Sequence, residues 1–379
     1  MKNTLSSAHL DLLRTIAAWQ VCVHHLKNLF FIDYPQVQSK NFFTQSFYYF
    51  SRFGHQSVII FFVLSGLFVG SSVIKQSNEG KWSWSKYLIA RLSRLYIVLV
   101  PALLIGGFWD WLGISSFEPQ SIYDGKTLVQ TVISFPVAER LNVFGFIGNL
   151  SFLQAFKVSP FGSNGSLWSL SYEFWYYILF PLIFLVLIKK QLIINRIFYS
   201  ACFIILTNFI GLPISLSFLI WLLGVAIIYI NEALKIDRNH RNIITFISFL
   251  VLILSISSTL LFQGFSFVSD LIVGVCASMF IFSLVQYDTL IDQNHIYPKT
   301  VHFLANFSYT LYLLHLPFLV FINALIVKEV RWQPDMLHIF IAIILFIITI
   351  LYSYIISSFT EAKTNVFRAW LVSRLSLKS

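Results

Sequence analysis

An all-α integral membrane protein is the fold class this chain predicts, and three observations carry the prediction. Of its 379 residues 57% are hydrophobic and 11% charged, with a mean hydropathy of +0.77, which lies outside the range of soluble domains. The apolar residues fall in continuous runs of about 20, the helix length that crosses the hydrocarbon core. The ten-residue alternation of a membrane barrel strand is not found.

About ten transmembrane helices are placed by these runs, at roughly 9–30, 57–74, 95–113, 167–188, 197–212, 214–231, 243–263, 266–286, 301–325 and 336–358. The first run begins near Leu10 behind the weakly charged Met1 and Lys2 and has no small-residue cleavage site. It reads as a retained span rather than a signal peptide. Between the third and fourth spans, segment 114–166 holds Pro119, Pro136, Pro160 and the apolar stretch NVFGFIGNLSFLQAF. That stretch is too brief for an ordinary span and reads as an interfacial or re-entrant element. A true crossing there would invert the topology of everything after it. No internal repeat and no second domain are visible, so 1–379 reads as one membrane domain.

Orientation follows from the 26 lysines and arginines. With the N-terminus inside, cytoplasmic segments hold groups such as Lys75, Lys81, Lys86, Arg91 and Arg94, then Lys189, Lys190 and Arg196. Basic residues on that side outnumber those outside by about two to one, which predicts both termini in the cytoplasm. Basic loops facing anionic lipid also account for the net charge of +10, so no nucleic-acid partner is expected. Cys22, Cys202 and Cys276 sit singly in apolar segments and imply neither disulfides nor a metal site.

Ionisable residues within spans cost a few kcal/mol each and usually face a cavity, so they mark the candidate site. In the first span Arg14 and His25 are eleven residues apart, nearly on one helix face, with a rise of about 16 Å between them. His24 points elsewhere, and the adjacent histidines do not form a metal site. Asp11 stands three residues before Arg14, in reach of an ion pair. The bland alternative has Arg14 snorkelling to the inner interface and His25 bonding a neighbouring helix.

Arg91 and Arg94 of RLSR lie on one face at the start of the third span. Two guanidinium forks there suit either a phosphorylated cytosolic cofactor or plain anchoring at the inner interface. Glu173 is embedded among aromatics in GSLWSLSYEFWYYILFPL, where a carboxylate is either part of a working site or a structural bond to a neighbouring helix. Ser308, Tyr309, Tyr312 and His315 form a polar stripe ahead of Pro317, which reads as a cavity wall or as an interfacial belt. No Gly-rich phosphate loop occurs.

These elements, taken in order, resemble the integral-membrane acyltransferase family 3, whose members include bacterial O-acetyltransferases of lipopolysaccharide, exopolysaccharide and peptidoglycan. The resemblance runs from Leu10 to Pro317. It rests on LDLLR with the spacing of Arg14 to His25, Gly54 followed by FFVLSG at Phe61 to Gly66, and Arg91 with Arg94. WSLSYEFWYYILFPL from Trp168 and SYTLYLLHLP from Ser308 complete the set. Leu12 stands where the family commonly has glycine, and Glu361 is followed by Ala362 and Lys363 rather than the family's arginine and proline.

The resemblance implies a bacterial inner-membrane enzyme that transfers an acyl group, most commonly acetyl, from cytoplasmic acyl-CoA to a hydroxyl. The acceptor would be a cell-surface glycan or its lipid-linked precursor, or a separate extracytoplasmic protein that takes the acyl group on. No metal and no fused extracytoplasmic domain are expected. His25 becomes the catalytic histidine, Arg14 its companion, and Arg91 and Arg94 candidate CoA-phosphate contacts. Asp11, Trp168, Ser308, Tyr309, Tyr312 and His315 would line the cavity.

A neutral His25 can serve as general base, with Glu173 orienting it as the acid of a triad does, and a covalent acyl-histidine is a second route. Depth supports grouping them. At about 1.5 Å per residue His25 lies about 24 Å from the inner side, His315 about 21 Å, and Glu173 about 10 Å below the outer end of a core about 30 Å thick. The opposing class is a transporter or flippase for a polar glycan precursor, but no inverted repeat or pair of broken helices supports it.

Overall fold

The computed structural model describes residues 4–117, 121–126, 132–188, 191–259, 267–291, 295–327 and 330–375. Lys2, Pro119, Lys189 and Lys190 therefore lie outside the described residues. Among the described residues the chain is helical, with only isolated bridges in place of strands. The helices are α1 (Leu5–Phe30), α2 (Phe42–Phe50), α3 (Gly54–Asn78), α4 (Trp84–Phe117), α5 (Val143–Leu150), α6 (Trp168–Leu187) and α7 (Ile193–Ile210). They continue with α8 (Leu212–Ala233), α9 (Arg238–Ser258), α10 (Phe267–Val285), α11 (Ile296–Ala305), α12 (Ser308–Ile326), α13 (Met336–Phe359) and α14 (Thr364–Arg374).

Nine helical stretches among the described residues are long and apolar enough to cross a membrane, which makes the chain an all-α multi-pass membrane protein. They coincide with nine of the ten spans read from the sequence. The tenth is α1, which has the length at 26 residues but not the hydropathy, because Asp11, Arg14, Gln20, His24 and His25 interrupt it. The exposed Ile193, Ile197, Ile204 and Ile205 of α7, and Phe340, Ile347 and Leu351 of α13, are the apolar surface that lipid covers. Among the described residues between α4 and α6 the one α-helix is α5, whose 8 residues span about 12 Å, well short of the hydrocarbon core.

The chain sorts into two compact units, each assembled from three separate stretches. The first comprises Met1–Thr15, His55–Tyr87 and Leu170–Ala305. Within it α3 and α8 touch backbone to backbone. A methyl group on Gly66 would collide with the Trp221 carbonyl oxygen, and one on Gly224 with the Val63 carbonyl. Small residues at such crossings let membrane helices gain dispersion contact where no hydrophobic effect drives association. Gly66→Ala is therefore expected to lower stability by about 1–3 kcal/mol. The thermal midpoint of the detergent-solubilised protein measures it, and an unshifted midpoint would contradict this crossing.

Proline accounts for two further bonds. Pro181 inside α6 has no N–H for the Tyr177 carbonyl, and the Tyr87 hydroxyl donates to that oxygen instead at 2.9 Å. In the second unit, which comprises Ile16–Gly54, Leu88–Ser169 and Asn306–Ser379, Pro317 does the same to Leu313. Here Asn164 Nδ2 donates to the freed carbonyl at 2.8 Å. Each orphan acceptor is thus satisfied by a side chain from another element, as lipid-immersed backbone requires.

The core of the second unit is α12, buried along nearly its whole length, with Phe318 stacked on Tyr352 of α13 at 4.5 Å between ring centroids. The loop before α6 is clamped to α4 by Asp110. Its carboxylate accepts from the Ser163 backbone N–H at 2.7 Å and from the Ser163 hydroxyl at 2.6 Å. Outside the spans, burial first and the nearby Asp110 charge second push the Tyr123 phenol up from its ordinary range.

Candidate active site

α1 brings its polar residues to both units. In the first unit Asp11 is 3.3 Å from Arg14, the i,i+3 pair that their spacing allows, and its other oxygen is 2.6 Å from His302 Nδ1 on α11. The Arg14 guanidinium also donates to the carbonyl of Ala305 at 2.9 Å. Ala305 is the last residue of α11, so the cation sits at the negative end of a helix dipole. Arg14 thereby ties α1 to α11.

In the second unit His25 Nδ1 lies 2.8 Å from Nε2 of His315, with the two rings nearly parallel and 5.1 Å apart. His315 is fully buried, and its Nδ1 lies 2.9 Å from the Leu311 carbonyl one turn back. His25 is half-buried, and its Nε2 has no hydrogen-bond partner among the described residues. His24 turns away, bonds Asn28 at 2.9 Å and covers Gly54, where a Cβ would meet its ring at 2.7 Å. The glycine opening the FFVLSG region has that packing reason.

The stripe on α12 divides by depth. Ser308 is buried and Tyr309 half-buried, while the Tyr312 hydroxyl lies 2.6 Å from Ser169 Oγ, next to the half-buried Trp168 at the start of α6. Glu361, which carried no role in the sequence reading, accepts from the Thr310 backbone N–H at 3.0 Å and its hydroxyl at 2.9 Å. A carboxylate on the first turn of α12 satisfies orphan donors and complements the helix dipole.

Glu173 belongs to the first unit, where it joins three helices. It accepts from the Tyr177 hydroxyl one turn on and from Ser65 of α3 at 3.3 Å, and Ser65 accepts from Trp221 Nε1 of α8 at 3.1 Å. Arg91 is half-buried and Arg94 exposed. Both stand inside α4 rather than before it, because that helix starts at Trp84. The structure thus joins His25 with His315, Asp11 with Arg14, and Tyr312 with the start of α6.

Sequence reasoning passed over His302, Ser169, Asn164 and Asp110. A signal existed for Asp110, an ionisable residue inside a predicted span, which meets the criterion that singled out Glu173. Asp270, paired with His55 at 2.9 Å, meets it as well. His302, inside the predicted span 301–325, meets it too, but its partnership with Asp11 joins residues 291 positions apart and left no trace in the sequence.

The chain is thus a multi-pass helical protein in which α1 and α12 meet through a half-buried histidine and a buried one. The acyltransferase domain family matches residues 7–358, and the chain belongs to that family: it is a membrane acyltransferase. No curated protein and no solved structure matches it.

Proposed function

We propose that the protein transfers an acyl group, acetyl before others, from cytoplasmic acyl-CoA to a hydroxyl of a cell-surface glycan or its lipid-linked precursor. It would do so in a bacterial inner membrane with both termini in the cytoplasm. The observation that carries this reading is His25, whose Nδ1 is held by His315 while Nε2 has no hydrogen-bond partner among the described residues. Nε2 takes the hydroxyl proton as the oxygen attacks the thioester carbonyl. The C–S bond then breaks, and the departing CoA thiolate takes the proton back from the imidazolium. Removing the proton during attack suits a hydroxyl far less acidic than imidazolium.

Arg91 and Arg94 fit the donor's phosphates. α4 has 34 residues, about 51 Å, against a core of about 30 Å, so a helix of this length overhangs. In the proposed orientation the overhang that carries the arginines is cytoplasmic. Replacing both with glutamine is expected to raise KM for acetyl-CoA at least tenfold, with kcat and membrane insertion little changed. An unchanged donor KM would leave these residues as anchors only. Arg→Lys is expected to be milder but not neutral, since the bidentate fork is lost.

A further inference from the structure

We infer that His315 is a positioning residue that fixes His25 in the tautomer carrying its proton on Nδ1, which leaves Nε2 unprotonated and basic. This role deepens the reading of His25 as general base and rests on it only for its catalytic consequence. The chain of bonds begins at Leu311, whose carbonyl can accept but never donate. The nitrogen facing that oxygen at 2.9 Å, His315 Nδ1, must therefore carry a hydrogen.

Neutral imidazole has one N–H, so His315 Nε2 holds a lone pair. Across 2.8 Å it faces His25 Nδ1, and two lone pairs cannot be held at that distance. His25 Nδ1 must donate, and its Nε2 is left with the lone pair that general-base chemistry needs. The whole chain, carbonyl to imidazole to imidazole, is set by an oxygen that belongs to α12 itself.

Free histidine in water favours the opposite tautomer, with its hydrogen on Nε2. At His25 that form would leave Nδ1 against a second lone pair and occupy Nε2 with a proton. The arrangement differs from a carboxylate-backed triad in one respect. His315 is a neutral acceptor, so it selects the tautomer without adding a negative charge to hold the imidazolium. Polarisation along the chain of bonds supports the imidazolium only weakly, which favours prompt return of the proton to the leaving thiolate.

The test uses the full chain in lipid nanodiscs with 15N-labelled histidine. Nitrogen NMR reads the tautomer, and the His25 signals are assigned by their loss in His25→Gln. The expected spectrum has His25 neutral and protonated at Nδ1. His315→Gln should keep that form, because a side-chain amide oxygen accepts near the place of Nε2, whereas His315→Leu should move the proton to Nε2.

In acetyl-CoA turnover the leucine variant should lose kcat at least a hundredfold with KM for acetyl-CoA unchanged, and the glutamine variant should recover to within about tenfold of the parent. A proton on Nε2 of His25 in the parent protein overturns the proposal, even if the variants fail to fold. So does an unmoved proton in a folded His315→Leu. Retention of transfer by His25→Ala would instead defeat the general-base reading and leave the tautomer result standing.

Discussion

His25→Ala is expected to abolish acyl transfer, with turnover at least a thousandfold below the parent. A general base contributes about 10²–10⁴ in rate, and alanine removes the base together with its positioning. The fold should survive. His25 is half-buried and has a single hydrogen-bond partner among the described residues, so the change costs one bond and modest packing. His315 can accept a bond from a water admitted to the vacated space. Thiol release from acetyl-CoA by purified protein, beside its thermal midpoint, checks both halves of the expectation. Undiminished turnover in a well-folded variant would remove His25 from the chemistry.

Arg331→Met is expected to have the largest effect on stability. The last carbonyls of α1 are satisfied in turn: Lys27 by the Phe31 N–H, Asn28 by Arg331, Leu29 by Asn323, and Phe30 by the Trp332 N–H. Arg331 also donates to the Phe31 carbonyl at 3.0 Å and grips Asp33 with both terminal nitrogens. Its side chain is 5% exposed and that of Asp33 51%, so the ion pair itself, screened on one side, counts for little.

The carbonyls decide the outcome. Two charge-assisted bonds at about 1.5–3 kcal/mol each put the loss at about 3–6 kcal/mol. The midpoint in detergent measures it, and Arg331→Lys should recover only part, since one ammonium cannot span all three acceptors. A shift no larger than that of an exposed substitution would mean that water caps α1 as well as Arg331 does.

The helices of this protein were legible because lipid permits so few alternatives. A run of apolar residues in a bilayer is a helix, and α6, α8 and α13 start and stop within about two residues of the runs that predict them. One exception has a tertiary cause. The expected ninth span, 301–325, is broken into α11 and α12 at Asn306 and Phe307, where no proline or glycine signals an end. Tertiary groups make that break, with Arg14 on the Ala305 carbonyl and Glu361 on the Thr310 amide.

The polar residues were legible one by one, because an ionisable group in a span announces itself. Their partners were not. The depth count placed His25 and His315 at nearly one level, but which nitrogen meets which depends on side-chain directions that no spacing encodes. Glu173 shows the same limit from the other side. Its place among aromatics was plain, whereas Ser65 and Tyr177 as its partners follow only from how α3 and α6 pack.

The pairings of α1 also set a clock. Arg14 is completed by Ala305 and His25 by His315, 291 and 290 positions later in the chain. At a synthesis rate of about 5–20 residues per second, α1 waits about 15 s to 1 min for these hydrogen-bond partners, with Arg14 meanwhile able to pair only with Asp11 in its own helix. The low hydropathy of α1 makes surface residence tolerable. α1 is thus made about 290 residues ahead of the groups on α11 and α12 that complete it.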